Sequence, residues 1–202
     1  VTNLATNLTA YSATPFIVTF PSNGITDFTT DPTFPSTGAF GLAMGDLNGD
    51  GKPDLVVANA VTPATAFVRL NTSSAAGALS YSAATPLAVG DAYAYYTAIA
   101  DLDGDGRLDI AVGTGSSTDT GIVVVFRNQT TAGSMTPIFS SALTVSTGGQ
   151  PRQLVAVDLD GDGRPELVYA NATSTAGVNK DTIAVLRNVS VSGTLSFAAT
   201  QN

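Results

Sequence analysis

From about residue 38 onward the chain alternates short apolar runs with polar breaks rich in Gly, Asn, Ser and Asp. Leu42–Met44, Leu55–Ala58 and the segment FVRLN at 67–71 form one series. Ala98–Ala100, Ile110–Val112 and VVVFRN at 123–128 form a second, and Leu154–Val157, Leu167–Ala170 and IAVLRN at 183–188 a third. Runs this short, β-branched and bounded by turn formers predict strands. Helices are disfavoured because twenty Gly and ten Pro interrupt the chain, while exposed-face helix formers are scarce, with two Lys and one Glu. The pattern predicts an all-β domain.

The three series are copies of one unit, and such repetition governs the fold. Residues 46–55 read DLNGDGKPDL, 101–110 read DLDGDGRLDI and 158–167 read DLDGDGRPEL, with first Asp residues 55 and 57 positions apart. An apolar run precedes each acidic segment and another follows it. The third run ends at Asn71, Asn128 or Asn188, a turn with Gly77, Gly133 or Gly193 comes next, and a fourth run carries Tyr81, Phe139 or Phe197. Four short strands with an acidic loop between the first and second describe a β-propeller blade. The expected organisation is an N-terminal arm at 1–15, a partial blade at 16–37, and blades at 38–90, 91–148 and 149–202. That makes three and a half blades of four antiparallel strands, in an open arc or as part of a larger propeller.

Composition narrows the chemistry. The chain has 202 residues, enough for a sizeable core. It lacks His and Cys, which excludes a zinc site built on them, a Ser–His triad and a disulfide framework. Sixteen acidic residues face eight basic ones, for a net charge of −8, so no phosphate-neutralising surface for nucleic acid is expected. No apolar run approaches the ~20 residues of a membrane helix. Fifteen of the sixteen acids are Asp, and eleven of the sixteen lie in the three loops.

In each loop the acidic or amide side chains stand at positions one, three, five and nine. The sets are Asp46, Asn48, Asp50 and Asp54; Asp101, Asp103, Asp105 and Asp109; and Asp158, Asp160, Asp162 and Glu166. A tight loop turns alternate side chains toward one centre, and hard oxygen donors in this number suit Ca²⁺, which takes six to eight oxygens at about 2.3–2.6 Å. Gly51, Gly106 and Gly163 permit the sharp turn at position six. The main-chain carbonyls of Lys52, Arg107 and Arg164 at position seven would add a ligand. Three such ions would take the net charge from −8 to about −2. Solvated acidic turns are the bland alternative, since Asp, Asn and Gly favour turns anyway; three copies in register argue against it. The EF-hand is excluded because position twelve is Val57, Val112 and Tyr169 rather than Glu.

The loops and their flanks, over residues 38–200, resemble the FG-GAP/VCBS-type repeat of calcium-binding β-propellers, which includes the blades of integrin α-subunit heads. The resemblance implies Ca²⁺ between strands one and two of each blade, about three ions per chain, in an extracellular or cell-surface protein. Asn48 at position three is a familiar variation, whereas Glu166 departs from the usual Asp and makes the third site's geometry the least defined. Propellers close with about four to eight blades. Three and a half leave open faces and an unpaired edge, which invite association or signal a piece of a larger protein.

Five Asn-x-Ser/Thr sequons occur, at Asn7, Asn71, Asn128, Asn171 and Asn188, three of them at one repeat position. Tyr93, Tyr95 and Tyr96 form an aromatic cluster that suits packing between blades better than stacking on sugar. No His, Cys or further Glu supplies an acid or base outside the loops, so the chain reads as non-enzymatic. The resulting expectation is a calcium-stabilised structural or adhesive module that self-assembles, with the N-terminal segment adding as a strand to another copy, as in a filament subunit. A carbohydrate-binding propeller of lectin type, or the non-catalytic repeat region of a larger secreted protein, are the alternatives. Glycans or cell-surface proteins remain open as further partners.

Overall fold

A computed structural model of the chain describes residues 2–3, 8–9, 38–74, 79–90, 93–116, 121–140, 142–172 and 182–198. The chain divides into two compact units, Val1–Thr33 and Phe34–Asn202. In the first, β1 (Thr2–Asn3) pairs antiparallel with β2 (Leu8–Thr9). Part of the expected N-terminal arm is thus paired with itself; the partial blade at 16–37 lies outside the described residues.

The second unit is built from three antiparallel four-stranded sheets, with no helix among the described residues. Blade one comprises β3 (Ala39–Gly45), β4 (Asp54–Asn59), β5 (Ala64–Arg69) and β6 (Thr85–Gly90). Blade two comprises β7 (Tyr93–Ala100), β8 (Asp109–Gly115), β9 (Ile122–Phe126) and β10 (Leu143–Ser146). Blade three comprises β11 (Gln150–Val157), β12 (Glu166–Ala172), β13 (Thr182–Asn188) and β14 (Phe197–Ala198). In every sheet the strands lie side by side in chain order, as meander blades require. The fold is all-β and made of open propeller-like blades. Each first strand bulges near its start, between Ala39 and Gly41, Ala94 and Tyr96, and Arg152 and Leu154.

Strand periodicity explains the core. Alternate residues point to opposite sides, so each sheet carries two apolar faces. Val56, Ala58, Ala66 and Val68 of blade one pack on Ile110, Val112, Val124 and Phe126 of blade two. The opposite face of blade two, with Ala98, Ala111, Val123 and Val125, packs on Leu154, Leu167, Tyr169 and Leu186 of blade three. Loop position two joins these cores, since Leu47 and Leu102 are buried within them. Phe40 meets Tyr95 and Tyr96 edge-on at 5.1 and 6.1 Å, so these tyrosines pack between blades one and two.

Small residues let the first two blades approach. A Cβ at Gly41 would lie 2.4 Å from the main-chain oxygen of Tyr95. Gly41→Ala is therefore expected to force the two blades apart and cost about 1–3 kcal/mol, within the range of overpacked cores. Urea unfolding checks this; an unchanged midpoint contradicts the close approach.

Candidate metal centres

Each acidic loop links strands one and two of its blade, and two glycines shape it. Gly51, Gly106 and Gly163 at position six adopt φ of 84–85°, and Gly49, Gly104 and Gly161 at position four adopt 69–78°. The second set recurs in all three copies and is visible in the sequence as the Gly at position four.

The position-one carboxylate anchors the turn. Asp101 Oδ1 accepts the N–H groups of Gly104 and Asp105 at 2.8 and 3.2 Å, and its Oδ2 accepts that of Gly106 at 2.9 Å. Asp46 and Asp158 take the same place, each accepting the N–H of the position-six glycine at 2.7 and 2.9 Å. Position three caps position five in every loop: Asn48, Asp103 and Asp160 each accept the N–H two residues on, at 3.1–3.3 Å. Position five in turn caps position seven, as Asp50, Asp105 and Asp162 accept the N–H groups of Lys52, Arg107 and Arg164 at 2.9–3.0 Å. Side chains of position seven fold back on the same carboxylates: Lys52 on Asp50 at 3.8 Å, Arg107 on Asp105 at 2.5 Å, and Arg164 on Asp162.

Position nine is buried and doubly engaged. Asp54 accepts the N–H of Leu47 at 2.8 Å and that of Asn71 at 2.7 Å. Asp109 accepts those of Leu102 and Asn128 at 2.9 and 2.8 Å. One carboxylate thus ties the start of the loop to the end of the third strand. Glu166 keeps the bond to Leu159 N–H at 2.9 Å, but its buried Oε1 has no hydrogen-bond partner. The extra methylene of Glu breaks the pattern at the third loop.

Burial pushes the Asp109 carboxyl up to about 7 from its ordinary 3.8; the charges of Asp103 and Asp105 add to the rise, and the two N–H groups oppose it. Asp54 is raised in the same direction, chiefly by burial. Carboxylates so crowded and desolvated outnumber the cations beside them, since Arg107 and Arg127 pair only with Asp103 and Asp105.

The donors suit a hard divalent cation. One carboxylate oxygen from each of Asp101, Asp103 and Asp109 lies within 4.8 Å of the others, and the same holds for Asp158, Asp160 and Asp162. These are oxygen donors only, as Ca²⁺ prefers; Asp105 and Glu166 do not join the triplets of their loops. Among the described residues the first loop, with Asn48 at position three, forms no such triplet of carboxylates.

A further set of residues, present in the repeat as sequons, is structural. Asn71, Asn128 and Asn188 are buried. The Asn128 amide donates to Leu108 O of its own loop at 2.9 Å and to Leu47 O of the preceding blade at 2.8 Å. Asn188 does the same with Pro165 O and Leu102 O at 3.0 and 2.8 Å. Their Oδ1 atoms accept the N–H of Thr130 and Ser190 two residues on, at 2.9 Å each. The hydroxyls of Thr130 and Ser190 then accept from Ile138 and Ser196 N–H at 2.9 and 3.0 Å. The sequon pattern is accordingly an Asx turn plus a hydroxyl that extends the sheet. Recurrence at one repeat position was the available signal.

Propeller-type blades with calcium-loop-like turns define a class, and comparison with protein families places the chain within it. Residues 7–57 and 101–169, more than half of the chain, match the FG-GAP-like repeat, and the chain belongs to that family. Its repeats are, as a rule, structural and non-catalytic. The match begins within the stretch read above as an arm. A comparison with curated proteins gives no match.

Two outcomes are expected. Asp109→Ala strands two buried N–H groups and should cost about 3 kcal/mol in chelator by chemical denaturation. The sign for pH also follows. The unfolded carboxyl releases its proton near 3.8 and the folded one near 7, so the chelated protein loses stability as pH rises from about 4 to about 7. A flat profile across that window contradicts the burial argument.

Proposed function

We propose that the chain is a non-enzymatic, calcium-stabilised structural module of an extracellular or cell-surface assembly, and that copies stack blade upon blade. One observation carries the stacking. Ile183 is 81% exposed, although Ala66 and Val123, at the same register of the two preceding blades, are 0% exposed. Val155, Val157 and Val185 are exposed beside it. Leu159 is 56% exposed where Leu47 and Leu102 are 2% and 1%. The trailing face of blade three therefore repeats a surface that is covered wherever another blade follows. A head-to-tail contact of this type is heterologous and propagates unless it closes. A second copy fits because its leading blade exposes Leu42 and Met44.

Calcium enters as the counter-charge of the loops. In the reading proposed here, Asp101, Asp103, Asp105 and Asp109, Asp158, Asp160, Asp162 and Glu166, and Asp46, Asn48, Asp50 and Asp54 hold the ions. The carbonyls of Lys52, Arg107 and Arg164 complete the shells. Binding to the folded state alone stabilises it. Affinities of about 10⁻⁴–10⁻³ M suit an extracellular module.

Millimolar Ca²⁺ is expected to raise the thermal midpoint by about 10 °C over chelator, and titration calorimetry should count three ions per chain. Light scattering with Ca²⁺ present should give masses above that of one chain, falling to one chain in Ile183→Asp. Deleting residues 1–13 separates the mechanisms, because loss of association on that deletion would assign it to strand addition. A native chain that stays monomeric at high concentration removes the assembly reading.

A further inference from the structure

Arg127 and Arg187 stand immediately before the buried Asn of the third strand, where blade one has Leu70. Arg127 reaches across to its own blade's loop: its Nε donates to Asp103 Oδ2 at 2.5 Å and its Nη2 to Asp105 Oδ2 at 2.6 Å. Arg187 donates to Asp160 Oδ2 at 3.3 Å. In blade one, position three is Asn48, whose amide instead donates to Ser134 O of blade two at 3.1 Å. Loop and strand thus change together: Asp with Arg twice, Asn with Leu once.

The charges come out equal. Loop one sets three carboxylates against the Lys52 ammonium. Loop two sets four against Arg107 and Arg127, and loop three four against Arg164 and Arg187. With every carboxylate ionised, as a bound cation would hold them, each loop is left at −2, the charge that one divalent cation neutralises.

We infer that the residue before the buried Asn sets the charge of each loop, so that Arg127 and Arg187 tune the second and third loops to a divalent rather than a trivalent ion. The inference rests on the calcium reading above. Arg127 is a positioning residue: it takes the Oδ2 atoms of Asp103 and Asp105 and leaves Asp103 Oδ1 to the loop, where it accepts the Asp105 N–H. Its guanidinium, which donates to both carboxylates, stays protonated in any protein setting, so its charge is permanent. Removing it leaves loop two at −3, which favours a higher-charged cation and increases repulsion in the ion-free state.

The test uses the full chain with Arg127→Leu, Arg127→Lys, Asp103→Asn and the double variant Asp103→Asn/Arg127→Leu, titrated calorimetrically with CaCl₂ and TbCl₃. Arg127→Leu is expected to raise the Tb³⁺ over Ca²⁺ affinity ratio of one site about tenfold and to lower the melting point in chelator. Arg127→Lys, which keeps the charge, and the double variant, which copies the chemistry of loop one, should return the ratio to within threefold of native. A ratio unchanged by Arg127→Leu, or a double variant equal to the sum of the singles, overturns the inference. The exposed Arg187→Leu provides the same comparison on loop three should Arg127→Leu fail to fold. A native chain giving no calcium heat defeats the calcium reading and this inference with it; native calcium binding with an unchanged ratio defeats this inference alone.

Discussion

A four-stranded sheet that is apolar on both faces has no means of shielding itself from water, and each blade here depends on that fact. Blade two is the demonstration. Val123 and Val125 face blade three while Val124 and Phe126 face blade one, and all four are buried. Burying a Val or Phe side chain contributes roughly 1.5–3 kcal/mol, so a blade without neighbours forfeits most of what holds its strands together. Stability in such an array comes from the interfaces between repeats as much as from the repeats.

Polar groups align those interfaces. Apolar faces of Val, Ala and Leu would tolerate sliding, but the buried Asn amides accept only one position. Asn128 bonds Leu47 O and Asn188 bonds Leu102 O across the blade boundary. Those carbonyls sit at position two of the acidic loops, and the N–H groups of the same leucines are held by Asp54 and Asp109. Loop shape and blade stacking are therefore mechanically one unit. A cation that orders the carboxylates would stiffen the boundary with the next blade as well as the loop itself.

Much of this was legible because it is local. The spacing of Asp, Asn and Gly within ten residues announces a turn and a set of oxygens, and the repeat announces the blades. What escaped lies between distant positions. The bond from Arg127 to Asp103 spans 24 residues and that from Asn128 to Leu47 spans 81, and neither has a signature in either segment read alone. Position nine is also two things at once, a carboxylate in an acidic motif and a buried clamp on backbone N–H groups. Motif spacing reveals only the first. The triplets at Asn71, Asn128 and Asn188 carry two readings for a related reason: the same residues that spell a sequon also form an Asx turn with a following hydroxyl, and the fold uses them as buried Asx turns.

That coincidence has a kinetic side. A sequon is read by its modifying enzyme on extended chain, before any blade exists, whereas the Asn amide is needed once two blades meet. A sugar joined to the Asn128 side chain would occupy the space now filled by the carbonyls of Leu47 and Leu108. Decoration of Asn128 and the bond that aligns blades one and two therefore exclude each other.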